Sequence, residues 1–107
     1  MANITTVLGP LGAEKLGYCQ MHEHIFVRET PAAEINPALR ADDESRSVQD
    51  LNAYRAAGGA SLLDAQPLGA GRSLSALARL SRASGVNIIA VTGYHMPMFY
   101  PGDHWIF

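Results

Sequence analysis

A chain of 107 residues has the length of one domain, since domains take about 100–200 residues, and it leaves no room for a second. Eight Lys and Arg against ten Asp and Glu leave a net charge of −2, which gives no electrostatic footprint for a phosphate backbone, so no nucleic-acid partner is expected. Apolar residues at 48% exclude a disordered chain, no run approaches the ~20 apolar residues that span a bilayer, and the single cysteine, Cys19, cannot form an internal disulfide.

The first apolar run, residues 4–8, predicts a short strand closed by a turn at Gly9-Pro10-Leu11-Gly12. A second strand is expected to lead from Leu16 into Met21-His22-Glu23-His24-Ile25. Residues 28–46 carry Pro31, Pro37 and the acidic run Asp42-Asp43-Glu44, and they predict a long loop. Ser47 then serves as a helix start, with Val48, Leu51 and Tyr54 or Arg55 at helical spacing and Gly58-Gly59 as the stop, which places a helix over about 48–57. Ser61-Leu62-Leu63-Asp64 reads as a buried strand ending at a carboxylate. A second helix over about 74–84 follows from the cap Ser73, the stripe Leu74, Leu77, Ala78 and Leu80, and the stop Gly85. Residues 86–92, with Val86, Ile88, Ile89 and Val91, give the strongest strand, apolar on both faces as parallel strands under helices are.

The chain therefore reads as β-α-β-α-β, whose crossovers are right-handed and whose ligands gather beyond the C-terminal ends of the strands. Chemistry-bearing residues fall there: His22 and His24 after one strand, Asp64 after the next, and Thr92-Gly93-Tyr94-His95 after the third. In an extended segment side chains alternate, so His22 and His24 point one way and Glu23 the other. Two neutral imidazoles on one face suit a divalent transition metal such as zinc, although a catalytic zinc takes three protein ligands, and an ordinary polar pair fits the same spacing. Asp64 suits an acceptor for an imidazole N–H or a cap for the loop that follows it. Arg72 suits an anionic group or a loop carboxylate. The aromatic and Met-rich stretch 96–107 reads as a pocket lining or as core surface that needs a cover.

Several separated segments resemble one family. Thr6-Val7-Leu8-Gly9-Pro10, Leu16-Gly17, Met21-His22-Glu23-His24-Ile25, Gly58-Gly59, Leu63-Asp64, Gly69 to Arg72, and Gly85-Val86 to Thr92-Gly93-Tyr94 are similar, in order and spacing, to the opening of the phosphotriesterase-related proteins, a branch of the amidohydrolase superfamily. The resemblance implies a metal-dependent hydrolase of esters, lactones or phosphotriesters on a (β/α)8 TIM-type barrel, with a binuclear divalent centre, usually zinc. It assigns His22 and His24 to one metal. The other ligands of that family, a carboxylated lysine, two histidines and an aspartate, belong to later strands and match no residue of this chain. His95 stands where the family often has an aromatic near the substrate, preceded by Tyr94, and these two are the candidate substrate contacts. No residue is assigned as catalytic.

A barrel of this kind takes about 250 residues, so residues 1–107 are expected to be a single partial domain, the N-terminal part of the barrel with three of its strands and two of its helices. Alone, such a chain is expected to lack turnover. The alternative is a structural or metal-binding module that self-associates through its open sheet edge. A cytoplasmic location without a membrane partner is expected in either case.

Overall fold

The computed structural model describes residues 2–28, 41–67 and 71–93. Tyr94, His95, the stretch 96–107 and most of the long loop lie outside the described residues.

The chain begins with an antiparallel hairpin of β1 (Asn3–Thr6) and β2 (Gly9–Gly12), in which Asn3 faces Gly12 and Thr6 faces Gly9. The expected first strand thus stops at Thr6, and the Gly-Pro segment read as a turn is the returning strand. The turn lies at Val7 and Leu8 instead. There the Thr6 hydroxyl donates to the Gly9 carbonyl at 2.8 Å and accepts the Leu8 N–H at 3.2 Å, while Gly9 takes a φ of +116° that side chains disfavour. Pro10 is tolerated because it sits on an edge strand.

A short 3-10 turn, Ala13–Lys15, leads to β3 (Cys19–Glu23), which pairs in parallel with β4 (Ser61–Asp64), and β4 pairs in parallel with β5 (Asn87–Ala90). The sheet order is β3-β4-β5, with α1 (Glu44–Ala56) between β3 and β4 in the chain and α2 (Leu74–Ser84) between β4 and β5. This is the β-α-β-α-β unit that the alternating pattern predicts. Among the described residues no helix is long and apolar enough to cross a membrane.

The second helix has the expected bounds because its signals are local. The Ser73 hydroxyl accepts the Ala76 N–H at 3.3 Å, Gly85 closes the end in the left-handed region at φ +75°, and Ala76, Leu77 and Leu80 face inward. They meet Leu51, Leu62, Val86 and Ile88 in one core, against which Val7 of the hairpin turn packs and whose Ile88 carbonyl takes the Val7 N–H at 2.9 Å.

The first helix begins earlier than its apolar spacing indicates. Its cap is Asp43, which accepts the Arg46 N–H at 3.2 Å, and Glu44 stands in its first turn, where the helix dipole favours negative charge. The acidic run is therefore a helix start. Ser47, expected as the cap, is buried one turn inside, and its hydroxyl donates to the Ile25 carbonyl at 2.7 Å. At the other end Tyr54 joins the helix to the sheet: its hydroxyl donates to the Ser61 carbonyl at 2.6 Å and accepts the Gln20 N–H at 3.1 Å. Gly59 is required beneath that ring, since a Cβ there would come within 2.3 Å of it.

Candidate functional site

The C-terminal ends of β3, β4 and β5 carry the residues singled out by their chemistry. Along β3 the register slips: Gln20 pairs with Leu62 and Glu23 with Asp64, so three steps on one strand match two on the other. Such a bulge inserts one extra residue and re-aims the side chains around it. Here the extra residue falls between Gln20 and Glu23, in the segment that holds His22.

His22 and His24 come together. Their ring centroids are 5.2 Å apart at an interplanar angle of 71°, an edge-on arrangement with His22 exposed and His24 half-buried. Nδ1 of His24 lies 2.9 Å from Oε1 of Gln66, a buried residue from the loop after β4. An amide oxygen only accepts, so His24 donates its Nδ1–H and keeps its lone pair on Nε2.

Asp64 is fully buried and does not bond to either imidazole. One carboxylate oxygen accepts the Ile25 N–H and the other accepts the Gln66 N–H, each at 3.0 Å. The Ala65 N–H also donates to the Glu23 carbonyl at 2.7 Å. The end of β3 is thus tied to the end of β4, and Gln66 is delivered to His24. Burial raises the Asp64 carboxyl above its ordinary value, while hydrogen bonds from Gln66 and Ile25 pull it back.

Arg72 completes the rim on the side of β5. Its Nη1 donates to the Val91 carbonyl at 2.8 Å, and its Nε is buried with no acceptor among the described residues. The adjoining Gly71, at φ +103°, offers its carbonyl to the Arg28 N–H at 2.8 Å, and a Cβ there would come within 2.6 Å of Val27.

A cleft of about 730 Å³ opens between β3 and α1, lined in part by Glu23, His24, Asp42, Arg46, Asp50 and Leu51. It lies beside β3, one of the two edge strands of the described sheet. Glu23 and His24 both line it, so the strict alternation expected to send Glu23 away from His24 does not hold where the register shifts and β3 ends at Glu23.

The two imidazoles fit two ligand positions of a divalent ion: both are neutral-type nitrogen donors at one strand end, and the hydrogen bond from His24 leaves Nε2 for ligation. Among the described residues no group of three or more His, Cys, Asp or Glu side chains is assembled for a metal. Gln66 carried no signal in the sequence, because its partner lies 42 residues away.

A parallel sheet with a helix in each crossover and polar groups at its C-terminal rim is an arrangement found in (β/α)-barrel proteins. The sequence profile of the Phosphotriesterase family matches residues 2–105, and the chain belongs to that family. It is 31% identical over 98 residues to a "phosphotriesterase homology protein" of Mycobacterium tuberculosis, covering 89% of this chain and 30% of that protein. Among solved structures it is similar to a lactonase from Listeria monocytogenes (27% identity, TM-score 0.81, 92% of this chain and 30% of that one). It is also similar to an amidohydrolase from Mycoplasma synoviae (26% identity, TM-score 0.85, 95% and 30%). The chain spans about 30% of the length of each of these relatives.

Proposed function

We propose that residues 1–107 are the opening part of a metal-dependent hydrolase of ester, lactone or phosphotriester bonds, and that His22 and His24 hold one ion, zinc by preference, of a binuclear centre. The observation that carries this reading is the paired imidazoles at the end of β3 with the His24 Nδ1–H bonded to Gln66. Family membership and the lactonase and phosphotriesterase relatives support the substrate class. Residues 1–107 then form a single partial domain, and the lone cysteine, which asks for no oxidising compartment, supports a cytoplasmic location.

A divalent ion bound there supplies Lewis-acid polarisation of a carbonyl or phosphoryl oxygen and activates water for attack. The chain's own residues set the stage for it. His22 and His24 bring their rings together at the end of the strand, and Gln66 keeps the His24 ring in one orientation. Asp64 takes no part as a base in this reading: both its oxygens are occupied by backbone N–H groups, and its role is to anchor the loop that carries Gln66. Arg72 holds the chain at Val91, next to the segment that leads into Tyr94 and His95, the proposed substrate contacts.

The base and the remaining ligands belong to strands this chain does not contain, so the chain alone is inactive or nearly so. The test is hydrolysis of an aryl ester, a lactone and a phosphotriester by the purified chain with added zinc. Rates at the metal-only background are expected, and turnover of about 1 per second or more, the range of ordinary enzymes, would contradict the incomplete-site reading.

A further inference from the structure

We infer that Gln66 is a positioning residue that decides which nitrogen of His24 is offered to a ligand. The inference rests on the proposed role of His24 for its functional meaning, but its structural content stands apart from any metal. A neutral histidine ring can carry its single proton on either of two distinct nitrogens, and a free side chain exchanges between the two forms. At His24 that choice is removed by a neighbour that only accepts: Oε1 of Gln66, 2.9 Å from Nδ1.

Gln66 is itself held. It is buried, its backbone N–H donates to Asp64 at 3.0 Å, and Asp64 is anchored through the Ile25 N–H. The closed circuit runs from His24 to Gln66, through the Asp64 carboxylate to Ile25, and back along the backbone to His24. A carboxylate or a backbone carbonyl is the commoner acceptor for a ligating histidine. Here the acceptor is instead the neutral side-chain amide of Gln66, whose backbone N–H is held by Asp64. A neutral acceptor orients the ring without adding a negative charge beside the ion.

Nitrogen-15 NMR of the ring nitrogens in mildly alkaline buffer, where imidazoles are neutral, reads the tautomer directly in the metal-free chain. Wild type is expected to show His24 with Nδ1 protonated, Gln66→Glu to keep that form because it retains an acceptor oxygen, and Gln66→Leu to show a mixture. The same ring state in Gln66→Leu as in wild type, or an Nε2–H form in wild type, would overturn the inference. Should Gln66→Leu fail to fold by circular dichroism, Gln66→Ala, which also lacks an acceptor, takes its place. Zinc titration of the same proteins is expected to show a loss of about 10–100-fold in affinity for Gln66→Leu and little change for Gln66→Glu. Zinc uptake by none of them contradicts the proposed function, while the tautomer measurement still decides the inference.

Discussion

Asp64 has no solvent exposure, yet it carries a carboxyl group whose two oxygens each take a backbone N–H. Replacing it with Ala leaves the Ile25 and Gln66 donors without that acceptor, and a loss of about 2 kcal/mol in urea unfolding is expected. Burial is the leading influence on its proton affinity and moves it above the ordinary 3.8. The folded chain therefore keeps this proton to higher pH than the unfolded chain does. The contribution of the group is most favourable at low pH and declines as pH rises from the unfolded value through the folded one. Urea unfolding of wild type and Asp64→Asn between about pH 3 and pH 7 checks this, because wild type should lose stability relative to the variant as pH climbs above about 4. A relative gain with pH would contradict it. The His-x-His pair was legible as two imidazoles close together at a strand end. Its setting was not: the bulge between Gln20 and Glu23 comes from pairing with β4, and the Gln66 contact comes from a loop far along the chain.

Elements were legible where their signals were local. β4 follows its apolar run and α2 its cap and terminal glycine, although of the expected stripe Leu74 is exposed and Ala76 joins Leu77 and Leu80 on the buried face. The departures have physical causes in tertiary structure or in competing local rules. Gly9 and Pro10 read as a turn, but the edge position lets Pro10 sit in a strand, and the Thr6 hydroxyl builds the turn earlier. At α1 the apolar spacing starts at Val48, while Asp43 and Glu44 satisfy the first turn by capping and charge. The two serine and aspartate roles can be separated by substitution. Asp43→Ala removes an exposed cap and should cost about 1 kcal/mol, whereas Ser47→Ala removes the bond to the Ile25 carbonyl behind the site and should cost about 1–2 kcal/mol. Only the latter is expected to weaken zinc binding, since Ile25 follows His24. Equal effects of the two on zinc binding would show that Ser47 does not support the site. Leu77→Ala, in the centre of the core, should cost about 2–5 kcal/mol.

At the scale of the whole molecule, β3 is one edge of the described sheet, and a cleft of about 730 Å³ opens beside it. Barrels abolish such edges by closing. The chain spans about 30% of each relative named above, and in the proposed reading further barrel strands cover this edge. A bare edge invites pairing with another copy, so light scattering at high concentration is expected to show association of the isolated chain, and a monodisperse monomer would contradict that. The family and the β-α-β-α-β order were legible from motif order and from strand and helix periods, whereas residues 94–107, which carry Tyr94 and His95, fall outside the described residues. The central claim is that the histidine pair is a metal half-site, and its most direct test is elemental analysis by mass spectrometry of the purified chain beside the His22→Ala, His24→Ala double variant. The account predicts near-stoichiometric zinc or a similar divalent metal in wild type and its loss in the variant. Absence of metal from both, or equal metal in both, would contradict it.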